Sequence, residues 1–118
     1  MASDFSIAIT ATTVRVPVFR SHAESVYVET ADELTVDAVR KAIDAFPGAQ
    51  VQDNPAEMEY PMPLFTSEKY DCYVGRIRKD LYNPKAINLW VSGDQIRKGA
   101  ALNALQIAEY MLAHDMIH

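Results

Sequence analysis

The segment near the C-terminus constrains this chain most. "QIRKGAALNALQIAEYMLAH", residues 95–114, has helical spacing but no polar face: Ile96, Ala100, Ala101, Leu102, Leu105, Ile107, Ala108 and Leu112 fall on most sides of the cylinder. A helix of this kind needs cover on more than one side. A single domain of 118 residues with one sheet supplies cover on one side only. The second cover is expected from another domain or another subunit.

The rest of the chain is rich in strand patterns. "FSIAITATTVRV" alternates Ile7, Ile9 and Ala11 with small or polar residues and reads as a strand. "AESVYVET" reads as a second, with Val26 and Val28 on one face and Tyr27 and Glu29 on the other. A helix follows. Thr35 is a good N-cap, Leu34 and Val39 have the spacing of a hydrophobic staple, and Pro47-Gly48 end it. Its apolar stripe is Val36, Val39, Ile43 and Phe46. "AQVQD" is a short strand, and "NPAEMEYPMPLFTSEKY" is a long proline-bearing loop of the kind that usually covers something. "DCYVGRIRKD" and "AINLWVSG" are two more strands joined at Asn83-Pro84, and Asp94 can cap the last helix. Strands that follow one another without an intervening helix argue for an α+β fold, with a mixed sheet of about five strands and helices packed on one face. The other sheet face then needs a partner too.

Charge and cysteine content remove several function classes. The net charge is −5 with no basic run, which argues against nucleic acid and anionic membranes as partners. No apolar run reaches the ~20 residues of a membrane span. One cysteine, Cys72, rules out an intrachain disulfide, and a reducing cytoplasm is the simplest setting. "MASDFSIA" lacks the features of a signal peptide and starts abruptly, as if inside a larger protein.

The chemistry-bearing candidates are few. In "VRVPVFRSHAESVYVET", Arg15 and His22 are seven residues apart, so a straight strand would hold them ~23 Å apart on opposite faces. Pro17 cannot donate to a ladder and fits a bend. With a bend, Arg15 offers a planar fork for a carboxylate and His22 a proton carrier near neutral pH. Without one, they are a surface arginine and a structural histidine. "SGDQIRKGAALN" sets a strand end, a capping Asp and small residues where backbone could approach a flat ligand, although tight helix packing explains the small residues as well. No G-x-G-x-x-G fingerprint exists. Cys72 reads as a small core hydrophobe. His114 and His118 have metal-clip spacing but no third ligand, so no metal site is expected.

Taken together, "VRVPVFRSHAESVYVET", "YPMPL", "VGRIRKD" and "NLWVSGDQIRKGAALNALQIAE" closely resemble the C-terminal part of aspartate-β-semialdehyde dehydrogenase, over about residues 7–110. That family belongs to amino-acid biosynthesis, toward lysine, threonine and methionine. Its members pass hydride to NADP after a cysteine attacks the aldehyde, and phosphate releases aspartyl phosphate. The resemblance implies that Arg15 binds the substrate carboxylate, His22 is the acid–base residue and Gln95 contacts the nicotinamide. It implies that the last helix packs on a dinucleotide domain and that the bare sheet face forms a homodimer.

The family's N-terminal dinucleotide domain and nucleophilic cysteine have no counterpart here, and Cys72 lies in the wrong place to replace it. The expectation is therefore a fragment of the enzyme, inactive alone, binding NADP weakly or not at all, and active with the N-terminal half. The alternatives are a non-catalytic oligomerisation or ligand-binding module, and a fragment of N-acetyl-γ-glutamyl-phosphate reductase, a family with shared chemistry.

Overall fold

A computed structural model describes residues 6–116. The reading of "MASDF", and His118, lie outside the described residues. In chain order the elements are β1 (His22–Glu29), α1 (Val36–Asp44), β2 (Ala49–Val51), α2 (Pro63–Thr66), β3 (Cys72–Lys79), β4 (Ala86–Gly93) and α3 (Leu102–Ala113). Single turns of 3₁₀ and π type lie at Pro55–Glu57 and Arg97–Ala101.

The sheet has the order β1-β4-β3-β2. β4 runs antiparallel to both β1 and β3, while β2 joins β3 in parallel, so the sheet is mixed and the fold is α+β. Pairing sets the faces. Val26 lies opposite Leu89 and Val28 opposite Ile87, so these residues share a face with Val91 and Val74. α1 covers that face. Thr35 caps α1 by accepting the Ala38 N–H at 3.1 Å. Val36, Val39 and Ile43 then meet Val74, Ile77 and Ile87, with Leu34, Val51, Leu89 and Val91 closing the cluster. Phe46, expected in the same stripe, is exposed beyond the end of the helix.

The other face carries Ser25, Tyr27, Tyr73, Asn88 and Trp90, by the same register. The loop after β2 covers part of it: Trp90 Nε1 donates to the Pro61 carbonyl at 3.0 Å. A cavity of about 340 Å³ opens there between Ser25, Tyr60, Trp90, Arg76 and Arg78.

β3 contains a bulge between Gly75 and Arg78, with Arg76 in the left-handed region at φ 53°. Asp53 holds it. Its carboxylate accepts the backbone N–H groups of Arg76 and Ile77, at 2.8 and 3.2 Å, and pairs with Arg40 of α1 at 2.5 Å. The carboxylate thus ties a bulge, a loop and a helix together.

Two expectations need correction. Residues 6–20 form no strand, although the chain there is β-branched and exposed; Ile9 is 85% accessible. A strand is defined by its ladder, and no strand among the described residues forms a ladder with this segment. The last helix also does not run unbroken from Gln95. A π-type turn with non-helical angles at Ala100 (φ −141°, ψ −108°) precedes α3. α3 packs on that turn, lies off the sheet, and has none of its residues buried.

Candidate functional site

The site is built at one end of the sheet, where β1 begins and β4 ends. His22 opens β1 and pairs with Gly93, the last residue of β4. Gln95 follows two residues later. One register choice therefore carries two of the three anticipated residues to the same edge. The His22 side chain is 56% exposed, and its Nε2 lies 3.7 Å from Glu24 Oε1. Gln95 is exposed as well, beside Gly99, where an added methyl would meet only the Gln95 Cβ at 3.6 Å.

Arg15 lies in the segment that precedes β1. The Val18 N–H donates to the Val16 carbonyl at 2.8 Å, closing a tight turn around Pro17. Ser21 adopts the left-handed conformation at φ 66° and redirects the chain just before His22. Arg15 and His22 are thus not separated by a straight strand, and Arg15 is exposed on the bent approach.

Beneath these residues lies a polar knot. Asp94 is fully buried, at 0% accessibility. Its Oδ2 accepts from Arg20 Nε at 2.7 Å and from the Glu68 N–H at 2.8 Å, and its Oδ1 accepts from the Ile96 N–H at 3.0 Å. Arg20 Nη1 extends to Glu68 Oε1 at 3.0 Å. Ser67 Oγ lies 3.1 Å from Ser21 Oγ and donates to the Pro63 carbonyl at 2.7 Å. Burial alone would push the Asp94 carboxyl up, but the Glu68 N–H, the Arg20 guanidinium and the Ile96 N–H outweigh it and hold it below the usual aspartate range. Asp94 is legible in sequence as a helix cap. Its tie to Arg20 spans 74 residues and leaves no local signal.

Cys72 sits on the far side of Gly93 from His22; a side chain built on Gly93 would come within 3.1 Å of its sulfur. Cys72 is half-buried, and burial pushes its thiol up despite the opposing charge of Lys98. That is the environment of a structural thiol. His114 closes the end of α3, with Nδ1 2.9 Å from the Tyr110 carbonyl and its ring stacked on Tyr110 at 4.0 Å. Among the described residues no group of three or more His, Cys, Asp or Glu side chains could hold a metal. Nor is any helix long and apolar enough to cross a membrane.

A family profile described as "Semialdehyde dehydrogenase, dimerisation domain" matches residues 1–98. The chain belongs to that family. What it matches is the C-terminal part of aspartate-semialdehyde dehydrogenase. The aspartate-semialdehyde dehydrogenase of Prochlorococcus marinus is 52% identical over 109 residues, covering 92% of this chain and 32% of the relative. That of Aquifex aeolicus is 44% identical, covering 97% of this chain and 34% of the relative. The crystal structure of aspartate semialdehyde dehydrogenase II complexed with ASA from Vibrio cholerae superposes with a TM-score of 0.77 at 38% identity, over 84% of this chain and 29% of the other. The chain thus spans about a third of the length of the curated relatives it matches.

Proposed function

We propose that these residues act as the C-terminal, dimer-forming part of an NADP-dependent aspartate-semialdehyde dehydrogenase, in which they form one domain and supply three side chains to the reaction. Arg15 binds the substrate carboxylate through its two-donor fork. His22 accepts and returns the proton at the reacting carbon's oxygen or at the nucleophile. Gln95 holds the carboxamide edge of the nicotinamide. The observation that supports this reading is the β1–β4 register, in which His22 lies opposite Gly93, two residues before Gln95, with Arg15 on a bent lead-in.

The residues present fit one edge of NADP. The exposed Gln95 amide can exchange hydrogen bonds with a carboxamide, and the open Gly99-Ala100-Ala101 turn lets a flat ring approach. When bound, that cofactor accepts the substrate's hydride. The glycine-rich cradle for its diphosphate belongs to the other two thirds of the enzyme. Two or three polar contacts give no better than about millimolar affinity, so the 118 residues alone bind NADP weakly or not at all. The sheet face away from α1, with Tyr27, Trp90 and the adjoining cavity, supports a two-fold homodimer contact. A reducing cytoplasm suits a chain whose one cysteine is free. The names of the relatives favour this enzyme over N-acetyl-γ-glutamyl-phosphate reductase.

The test is NADPH formation, followed by absorbance, with aspartate semialdehyde and phosphate. The 118 residues alone are expected to give none, and adding the N-terminal segment of the enzyme to restore it. His22→Ala in that complex should slow turnover on the order of 10²-fold. Turnover by the chain alone, abolished by Cys72→Ser, would overturn the reading. A complex that forms but never turns over would leave a non-catalytic oligomerisation module in its place.

A further inference from the structure

We propose that Arg20 and Asp94 form a positioning clasp that fixes His22 and Gln95 relative to one another; the catalytic part of this proposal rests on the function proposed above. The two charged groups lie next to the functional side chains in sequence. Arg20 is two residues before His22, and Asp94 is the residue before Gln95. Their contact, Nε to Oδ2 at 2.7 Å, therefore joins the segment that delivers the histidine to the segment that delivers the glutamine.

Three features make this more than a helix cap. First, Asp94 divides its oxygens. Oδ1 holds the Ile96 N–H, which fixes the turn carrying Gln95, and Oδ2 holds Arg20 and the Glu68 N–H. Second, two non-glycine residues are held in the left-handed region at this one place, Ser21 at φ 66° and Glu68 at φ 67°. Such conformations persist where surrounding contacts over-determine them and collect at functional sites. Third, the arginine is used as a fork across two carboxylates, Nε to Asp94 and Nη1 to Glu68. A lysine offers one point charge and cannot reproduce that planar pair. The apolar cluster of Val74, Ile77 and Ile87 lies under α1, so the clasp is not needed to close the core.

Arg20 and Asp94 touch neither substrate nor cofactor in this scheme. They act through His22 and Gln95, so their loss should lower kcat and leave substrate KM, set chiefly by Arg15, nearly unchanged. In the complex with the N-terminal segment, Arg20→Ala and Asp94→Asn are each expected to lower kcat at least tenfold, with KM within about threefold. The double variant should be no worse than the poorer single one, because both break the same contact. Arg20→Lys should recover little of the loss. Glu68→Gln, at an exposed position that leaves Asp94 paired, gives a milder variant that still folds, expected at two- to fivefold. In the isolated chain, NMR should show the His22 ring and Gln95 side-chain amide signals moving in Arg20→Ala while those of Val74 and Ile87 stay in place.

Folded variants with kcat within twofold of wild type, or with additive losses, would overturn the clasp. So would an Arg20→Ala chain with unmoved His22 and Gln95 signals. A wild-type complex without turnover would instead defeat the functional reading and, with it, the catalytic part of the clasp. The NMR result would then decide independently whether Arg20 and Asp94 set the geometry of His22 and Gln95.

Discussion

Asp53 and Asp94 are both buried aspartates that accept two backbone N–H groups and one arginine, but they guard different parts of the molecule. Asp53 satisfies the bulge in β3 and anchors α1 through Arg40. Asp53→Ala leaves two N–H donors and a guanidinium without their acceptor, which should cost about 2 kcal/mol or more. The urea midpoint should fall, with the slope of the transition unchanged. Asp94 carries a pH signature. Its folded carboxyl titrates below the ordinary aspartate value, so its contribution to stability is complete above about pH 4 and is lost as pH falls through the depressed folded value. Urea midpoints of wild type and Asp94→Asn, measured from about pH 6 down to about pH 2.5, should therefore converge at the acid end. A constant gap across the range would mean that the charge of Asp94 is not what stabilises this end of the sheet.

At the scale of single elements, β3 is the most sharply constrained. A methyl on Gly75 would run into the Gln52 carbonyl oxygen and Pro61 Cδ, and the first of these is backbone that cannot turn aside. Gly75→Ala should cost about 1–3 kcal/mol and loosen the loop over Trp90. Loss of the quenching or shielding of Trp90, read as a shift in its fluorescence, would report that loosening. Local patterning reveals β1, β3, β4 and α1, because each carries its own period and its own stop, and Thr35 caps α1 as its sequence position suggests. The segment around Ile7 and Ile9 misleads for an identifiable reason. β-branched residues favour extended backbone, but a ladder needs a neighbour, and sequence cannot count neighbours. The bend at Pro17 is legible from the missing N–H. The meeting of Arg20 with Asp94 is not, since only the β1–β4 register brings them together. The all-round apolar character of α3 is plain in its sequence, and the described structure leaves it uncovered: Leu105, Ile107, Tyr110 and Leu112 are each more than half exposed.

For the whole molecule, the exposed side chains of α3 and the aromatic face of the sheet add up to more apolar surface than a quiet monomer carries. Sedimentation at micromolar concentration should give a mass above 13.2 kDa that falls on dilution. Adding the N-terminal segment should protect the bond after Tyr110 from chymotrypsin. A monomer that dilution does not change would contradict this. The sheet order has a further consequence, for synthesis on the ribosome. Of the four described strands β4 is made last, yet it is central, with β1 on one side and β3 on the other. Until Gly93 has left the exit tunnel, His22 has no opposite number and β1 has nothing to join. Folding of this unit is then a late and nearly all-at-once event, governed by closure of a loop of about 60 residues. A nascent chain stalled anywhere before β4 should stay open to protease, and one released a few residues beyond it should snap shut. The register that sets His22 opposite Gly93, two residues before Gln95, therefore comes into being in the same step as the sheet itself.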